Sequence, residues 1–302
     1  IFTTILDRDT LWPTLRDADI RTSWMQRLPG IKRHFRKYLL LYPNAVESLD
    51  LSAYDIVLSN SFAFANGVHA RPGAFHFSYC HTPMRWVWEY DRYVERENVG
   101  PIVRRMLPLA IRYLRRWDLA SAARPHAMVA NSSAVALRIR TWYGRDAAVV
   151  HPPVETRRLC PSEERTDCFL VVSRLNAYKR VDLAVDAFNL LGWALSIIGD
   201  GPARSSLERR AGPTIRFLGR RSDTEVAERM ARCRGVIFPG EEDFGLVPIE
   251  ANAAGRPVVA YAAGGALDTV IDRRTGILFH EATPEALAAA ARQCAEATWA
   301  PG

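Results

Sequence analysis

The feature that most constrains the fold of this chain is a regular alternation of short apolar runs with helical stretches. In the second half, the apolar runs are Phe169–Ser173, Leu195–Ile198, Ile215–Leu218, Gly235–Phe238 and Pro257–Ala260. Helices are predicted at Val181–Leu191, Asp223–Arg232 and Leu246–Ala254. Strands that alternate with helices form βαβ units, and continuous apolar strands belong to parallel sheets covered on both faces. The chain is therefore predicted to be α/β.

The first half shows the same alternation less clearly. Its candidate strands are Ile56–Ser59, Phe75–Tyr79 and Ala127–Ala130, with a helical block over residues 101–122. A short apolar run then leads into Pro152 and Pro153. Because proline cannot continue a strand ladder, we predict a domain boundary here, between domains of residues 1–152 and 153–302.

Positive charge is concentrated in the first of these domains. Residues 1–150 contain 21 Lys and Arg against 13 Asp and Glu, whereas the remainder contains 19 against 20. The total of +7 fits a nucleic-acid binder, a membrane-surface protein or an enzyme for anionic substrates. The uneven distribution suggests two modules with different partners.

The cysteines and the chain ends bear on the location of the protein. The five cysteines form no CxxC pair and no disulfide framework, so we expect reduced thiols and a cytoplasmic protein. No apolar run reaches the roughly 18–20 residues that a membrane-spanning helix needs. The chain starts without methionine, on an apolar run at Ile1, and we interpret it as a fragment of a longer chain.

The first candidate site is Ser173–Arg180, between a predicted strand and a helix. Ligands in parallel α/β sheets bind beyond the carboxyl ends of the strands, where this loop lies. Arg174 and Lys179 are five residues apart and close to a helix N-terminus, which suits binding of a diphosphate. A solvent-exposed basic turn is an equally simple interpretation of the segment taken alone.

The second candidate site is the acidic segment Glu241–Asp243, followed by Phe244 and Gly245. Glycine lets the backbone approach a ligand closely, and the following helix would present unpaired N–H groups that favour negative charge. Glu250 lies about two helical turns after Glu242, so both carboxylates can face one side and accept hydrogen bonds from sugar or ribose hydroxyls. A plain acidic N-cap would explain the first three acids but not Glu250.

Together these segments resemble the nucleotide-sugar half of GT-B glycosyltransferases of family 4, the retaining group 1 class. The family's Ser-Arg-Leu…Lys-Arg loop is similar to Ser173–Arg180, and its paired-glutamate signature is similar to Glu242–Glu250. The resemblance implies a GT-B fold, with two Rossmann-like domains facing a central cleft. Residues 1–152 would then be the acceptor-side domain and residues 153–302 the nucleotide-sugar-binding domain.

The resemblance also implies roles for single residues. Arg174 and Lys179 would bind the donor diphosphate, Glu242 the hydroxyls of the donor sugar, and Glu250 the ribose. The catalytic set that it implies is His81, Glu242, Arg174 and Lys179. The donor-binding set is Ser173, Gly199, Asp200, Gly201, Asp243, Phe244, Gly245, Leu246 and Glu250. No metal ligand is predicted and no cofactor is required; the expected donor is GDP-mannose or another nucleotide diphosphate hexose.

In the first half, Cys80–Glu89 is predicted to follow a strand directly, which would place His81 on a loop. The segment resembles the His-Thr-Pro-Met-Arg segment of mannosyltransferase-like members, so His81 would contact the donor sugar. Arg85 and Asn131 are predicted on the acceptor side, although a purely structural histidine and a helix cap at Asn131 fit as well. Members normally begin with a strand and a Gly-rich loop and end with a returning helix, so the resemblance predicts truncation at both ends.

The basic residues of the first half are mixed with aromatic ones, at Arg21–Tyr38 and again at Val103–Trp117. Such a surface can rest on anionic lipid, and an ordinary solvated face fits too. Neither an RRM-like aromatic signature nor a zinc-finger pattern accompanies the charge, so nucleic acid is not an expected partner. We therefore expect a location in the cytoplasm, with peripheral contact at the inner face of the membrane.

The sequence thus predicts a retaining glycosyltransferase that moves a hexose, with mannose preferred, from a nucleotide sugar to a glycan or lipid-linked acceptor. The alternative is a catalytically silent nucleotide-sugar-binding fragment of such an enzyme. Hydrolysis of the donor and a phosphorylase-like reaction are further alternatives. The oligomeric state is not predicted.

Overall fold

The chain divides into two units, each containing parallel strands. The computed structural model describes residues 1–90 and 101–299, with side chains in the helix Pro101–Ala122 described from Leu107 onward. The first unit comprises residues up to Asn131 together with Val135–Val150, and the second comprises Ser132–Ala134 and the chain from His151. The chain passes into the second unit at His151, and the domain boundary predicted from the sequence follows residue 152.

The first unit contains a two-stranded and a four-stranded parallel sheet, with strand orders β1-β2 and β3-β4-β5-β6. The strands are β1 (Phe2–Thr3), β2 (Arg21–Thr22), β3 (Ile56–Phe62), β4 (Phe75–Thr82), β5 (Ala127–Ala130) and β6 (Ala148–Val149). The helices described are α1 (Ile31–His34), α2 (Tyr42–Glu47), α3 (Arg85–Trp88), α4 (Pro101–Ala122) and α5 (Ser133–Tyr143). Two of these strands, β3 and β4, continue three residues beyond their predicted ends.

Strand β3 is buried on one face of the four-stranded sheet and exposed on the other. Val57 lies in an apolar cluster with Val46 and Leu51, whereas alternate residues of β3 point outward. Ile56, Leu58 and Phe62 are 73%, 64% and 68% exposed. Strand β3 is also a terminal strand of its sheet.

The second unit is a six-stranded, fully parallel sheet with the order β12-β11-β10-β7-β8-β9. The strands are β7 (Phe169–Val172), β8 (Leu195–Ile198), β9 (Ile215–Gly219), β10 (Val236–Phe238), β11 (Val258–Tyr261) and β12 (Gly276–Phe279). The helices are α6 (Val181–Leu191), α7 (Arg204–Arg210), α8 (Asp223–Arg232), α9 (Leu246–Ala253), α10 (Ala266–Thr269) and α11 (Pro284–Glu296). Strand β12 and helices α7 and α10 were not predicted.

Both faces of this sheet are buried, as the continuous apolar strands predicted. Successive residues of β7 alternate between two clusters: Phe169 packs with α6 and α11, and Leu170 packs with α8 and α9. Capping residues explain why two helices have the predicted bounds. Ser222 accepts a hydrogen bond from the Glu225 N–H at the start of α8, and Gly192 ends α6 in the left-handed conformation.

Among the residues that the structure describes, no helix combines the length and the apolar character needed to cross a membrane.

Candidate functional site

The strand order of the second unit defines where its ligand site should lie. Chain order reverses between β7 and β10, since β8 and β9 extend the sheet on one side and β11 and β12 on the other. Ligands of open parallel sheets bind at this point, outside the carboxyl ends of the strands. The two candidate segments found in the sequence follow β7 and β10, so the topology brings them to the same place.

The loops after β7 and β8 are held together through their backbones. The Leu175 N–H donates to the Asp200 carbonyl oxygen at 3.0 Å, and the Ala203 N–H donates to the Leu175 carbonyl oxygen at 2.9 Å. Gly199 has φ +133°, and an added Cβ would lie 1.8 Å from the Ser173 carbonyl oxygen. Glycine is therefore required at this point of contact.

The loops after β7 and β10 also meet. A Cβ added to Gly240 would lie 2.7 Å from the Lys179 carbonyl oxygen, so the two backbones approach more closely than any side chain allows. Beside this contact, Lys179 Nζ lies 2.5 Å from Glu242 Oε1, and the two side chains are 15% and 24% exposed. Lys179 Nζ also lies 5.2 Å from the centre of the exposed Tyr178 ring. The structure thus joins the cation of the first candidate segment to a carboxylate of the second.

The acidic loop is fixed from its other side by the loop after β11. The Gly265 N–H donates to the Glu242 carbonyl oxygen at 2.9 Å, and Glu242 forms an isolated parallel bridge with Gly264. Gly245 then starts α9 with φ +84°. The first N–H groups of a helix have no intrahelical partners and carry partial positive charge. Leu246 is the first residue of α9, so the N–H groups predicted to face a ligand do begin a helix.

Glu250 lies on α9 and pairs with a residue that the sequence analysis did not identify. Arg158 Nη2 lies 2.5 Å from Glu250 Oε1. Arg158 belongs to a short 3-10 turn, Thr156–Arg158, in the segment that follows the change of unit. The pair of adjacent arginines was the available sequence signal, but it does not indicate a contact with a glutamate 92 residues away.

The other residues predicted to bind the donor lie on the loops that follow β7, β8 and β10, but the structure does not bring all of them into contact. Arg174 is exposed, whereas Lys179 pairs with Glu242 of the acidic loop. Asp200 accepts a hydrogen bond from the Gly201 N–H at 2.8 Å and faces Arg204. Phe244 is 5% exposed, stacked on the His151 ring at 5.3 Å, and Asp243 beside it is half-buried.

The predicted position of His81 on a loop is wrong. Strand β4 runs to Thr82 because its pairing with β3 continues past an irregularity between Ser61 and Phe62, and Pro83 follows its end. His81 therefore lies within the strand, with Nε2 2.5 Å from Asn60 Oδ1 on β3. The Tyr79 ring meets it edge-on at 5.2 Å, and burial raises the pKa of Tyr79.

The segment after β4 is anchored by a buried carboxylate. Asp118 Oδ2 accepts hydrogen bonds from Trp88 Nε1 at 2.7 Å and from the Tyr143 hydroxyl at 2.8 Å. Burial raises the pKa of Asp118 to about 6, although both hydrogen bonds act in the opposite direction. In the same segment, Arg85 Nε donates to Glu89 Oε2 at 2.9 Å.

Asn131 directly follows β5 and is 4% exposed. Its N–H donates to the Cys80 carbonyl oxygen at 3.3 Å, which ties the end of β5 to β4. Over the described parts of the chain, no group of three or more His, Cys, Asp or Glu side chains is arranged to hold a metal ion.

Comparison with known proteins matches the part of the chain that contains both candidate segments. Residues 156–297 match the family model described as Glycosyl transferases group 1. The match covers the segments whose motifs resemble that family in the sequence. The match includes Lys179, Glu242, Glu250 and also Arg158.

Curated relatives match parts of the chain. A GDP-mannose-dependent alpha-mannosyltransferase of Mycobacterium tuberculosis is 38% identical over 123 residues, covering 39% of this chain and 32% of that protein. A sulfoquinovosyl transferase of Arabidopsis thaliana is 30% identical over 203 residues, covering 62% and 40%. A D-inositol 3-phosphate glycosyltransferase of Nocardioides is 30% identical over 210 residues, covering 56% and 46%. The chain thus spans less than half the length of each of these relatives.

Solved structures confirm the predicted GT-B fold class. Sucrose-phosphate synthase from Thermosynechococcus elongatus is similar with a TM-score of 0.70 and 18% identity, covering 91% of this chain and 73% of that one. Anabaena HepE in complex with UDP has a TM-score of 0.63 at 18% identity, covering 92% and 76%. Similarity at this level of identity establishes the fold alone.

Proposed function

We propose that this chain is a retaining glycosyltransferase that transfers a hexose from a nucleotide diphosphate sugar to a glycan or lipid-linked acceptor. The observation that carries the proposal is the contact between Lys179 and Glu242 at the reversal of strand order. The proposal is supported because this contact joins a half-buried cation to a carboxylate where the sheet topology predicts a ligand, in the part of the chain that matches the group 1 glycosyltransferase model.

In the proposed reaction, the diphosphate gains negative charge as the bond to the sugar breaks. Lys179, Arg174 and the first N–H groups of α9 would stabilise that charge, which is electrostatic stabilisation of the transition state. The Glu242 carboxylate would accept hydrogen bonds from the sugar hydroxyls, and Glu250 would accept them from the ribose. Lys179 would then exchange part of its contact with Glu242 for the diphosphate.

For the donor we propose GDP-mannose, or another nucleotide diphosphate hexose. The mannosyl assignment is supported by the His81–Arg85 segment and by the mannosyltransferase relative, which is named as dependent on GDP-mannose. Uridine nucleotides are the second choice to test, because HepE, a neighbour in fold, is bound to UDP. His81, held by Asn60, is proposed to contact the donor sugar.

For the acceptor side we propose peripheral contact with an anionic membrane. Residues 32–37 are exposed without interruption and contain two lysines, two arginines and Phe35, which is 45% exposed. Leu40 and Leu41 continue this surface with exposures of 48% and 37%. Cations beside exposed apolar side chains suit an anionic lipid surface. Sedimentation with vesicles containing anionic lipid, against neutral vesicles, tests this part of the proposal.

The experiment that tests the function begins with calorimetric titration of the chain with UDP and GDP. Release of nucleotide diphosphate from UDP-hexoses and GDP-mannose is then measured with glycan and lipid-linked acceptors. Binding with turnover supports the proposal, and binding without turnover identifies a silent nucleotide-sugar-binding fragment. Turnover that survives both Arg174→Ala and Glu250→Ala would contradict the site assignment.

A further inference from the structure

The contact between Arg158 and Glu250 connects the candidate site to the turn Thr156–Arg158, which lies outside both candidate segments found in the sequence. Arg158 Nη2 and Glu250 Oε1 are 2.5 Å apart, a short charge-assisted contact. The Glu250 side chain is 19% exposed and that of Arg158 36%, so the carboxylate is shielded more than the guanidinium.

The backbone on both sides of this contact is fixed by the core. Leu159, next to Arg158, is 3% exposed, and Ala251, next to Glu250, is fully buried. Both belong to the same apolar cluster, which covers one face of the second unit's sheet. Arg256 Nη2 donates to the Ser162 carbonyl oxygen at 2.6 Å, which ties the segment a second time to the end of α9. The ion pair therefore joins two backbone positions that packing already fixes. Because the backbone is fixed, restricting the Glu250 side chain to one orientation costs little further conformational entropy.

The chemistry of the carboxylate leaves room for a ligand. Two carboxylate oxygens offer about four acceptor positions, and the Arg158 contact uses one of them on Oε1. A carboxylate held in one orientation can accept a hydrogen bond from a hydroxyl without first losing that freedom, and such preorganisation increases affinity.

We propose that Arg158 is a positioning residue that orients Glu250 toward the ribose hydroxyls of the donor nucleotide. It thereby contributes to preference for ribonucleotides over deoxyribonucleotides. The inference rests on the proposed function, because it takes Glu250 to be the ribose-binding residue. It extends the donor site to the segment between the change of unit and β7.

The same contact would be present if Arg158 had a purely structural role, here called a clip, in which it holds the turn Thr156–Arg158 against α9. A clip would stabilise the fold, and its loss would weaken every ligand of the site to the same degree. A positioning residue affects the ligands that carry ribose hydroxyls and spares those that lack them. The comparison of these two ligand classes therefore separates the two roles.

The experiment is calorimetric titration of the 302-residue chain with UDP, GDP and their 2′,3′-dideoxy analogues. Arg158→Ala, Arg158→Lys, Glu250→Gln and the double variant Arg158→Ala/Glu250→Gln are compared with wild type. Arg157→Ala is the matched control, since it removes a neighbouring exposed cation from the same turn. Thermal melting of each variant shows that the chain is folded.

We expect Arg158→Ala to weaken binding of the preferred ribonucleotide roughly tenfold, which corresponds to about 1.4 kcal/mol. The dideoxy analogue should bind wild type and variant equally. Arg158→Lys should restore part of the loss, and Arg157→Ala should match wild type. The double variant should bind no more weakly than Glu250→Gln, because the two residues act through one contact.

Equal weakening of ribonucleotide and dideoxynucleotide by Arg158→Ala overturns the inference in favour of a clip. An unchanged affinity overturns it too, and the proposed function then stands if Lys179→Ala still weakens binding. If wild type binds neither UDP nor GDP, the proposed function fails, and this inference fails with it.

Discussion

Lys179 and Glu242 form a half-buried ion pair between the loops that follow β7 and β10, 63 residues apart in the chain and adjacent at the edge of the sheet. Each side chain satisfies the charge of the other in this structure. A diphosphate would recruit the lysine, and sugar hydroxyls would recruit the carboxylate.

Replacing Lys179 by alanine should weaken binding of a nucleotide diphosphate by roughly tenfold or more, because a hydrogen bond to a charged group contributes about 1.5–3 kcal/mol. Binding of the nucleoside without phosphate should not change. Competition titrations of UDP or GDP against uridine or guanosine measure both effects. Arg209→Ala, which removes an exposed cation of α7, is the control. Equal losses for nucleoside and diphosphate would contradict the assignment of Lys179 to the phosphates.

Gly240→Ala should destabilise the second unit by roughly 2–4 kcal/mol, as expected where a new Cβ meets backbone that cannot move aside. The added atom would lie 2.7 Å from the Lys179 carbonyl oxygen. Gly192→Ala provides the comparison: its φ of +66° costs about 1–2 kcal/mol, but nothing lies within 4 Å of the new atom. Urea unfolding of the two variants checks the order. A Gly240→Ala variant as stable as wild type would show that the loops can separate.

Asp118 should make stability depend on pH. Because burial raises its pKa from 3.8 to about 6, the folded chain retains a proton that the unfolded chain releases in this interval. The contribution of Asp118 to the free energy of unfolding is complete below about pH 4 and is lost as pH rises through about 6. This contribution decreases by about 3 kcal/mol over the interval. Burial lowers the pKa of His76 to about 4, so that side chain contributes the opposite slope to every variant, and the quantity to compare is the difference from wild type. Asp118→Asn should lose the Asp118 contribution, whereas Asp146→Asn, at an exposed position of the same unit, should keep it. Denaturant unfolding between pH 4 and pH 7 measures the difference. Parallel curves for Asp118→Asn and wild type would contradict the prediction.

The five thiols should differ widely in reactivity. Cys160 is exposed and Cys168 half-buried, while Cys80, Cys233 and Cys294 are buried. Burial raises the pKa of Cys233 and of Cys294 to about 12, so their reactive thiolates scarcely form. A colorimetric thiol reagent should therefore modify one cysteine rapidly, a second slowly, and the other three after denaturant is added. Cys160→Ser should remove the rapid phase; persistence of that phase would place the exposed thiol elsewhere.

Much of the second unit could be predicted because its local signals agree with its packing. Helices α6 and α8 have the bounds expected from apolar periodicity, and each is limited by a capping residue, Gly192 or Ser222. Strand β12 was missed for the opposite reason. Gly276 signals a turn in the sequence, but here it lets β12 approach β11, since a Cβ would lie 2.1 Å from the Val258 carbonyl oxygen.

The residues of the candidate site that belong to sequence motifs could be predicted, and those outside the motifs could not. Lys179, Glu242 and Glu250 belong to segments whose order along the chain indicates one edge of the sheet. Arg158 does not, because its contact with Glu250 depends on the packing of Leu159 and Ala251, which no spacing in the sequence reveals. The position of His81 was mispredicted because the end of β4 depends on its pairing with β3.

The outward face of β3 has a practical consequence. Ile56, Leu58 and Phe62 expose apolar side chains on one face of a terminal strand, with Asn60 between the last two, and the backbone of such a strand can serve as a template for a strand of another molecule. Concentrated solutions of the 302-residue chain should therefore be prone to self-association. Ile56→Lys would place a charge on this face at the end of β3 remote from Asn60, which contacts His81, and would be a sensible first step toward a sample that stays dispersed at the concentrations that titration requires.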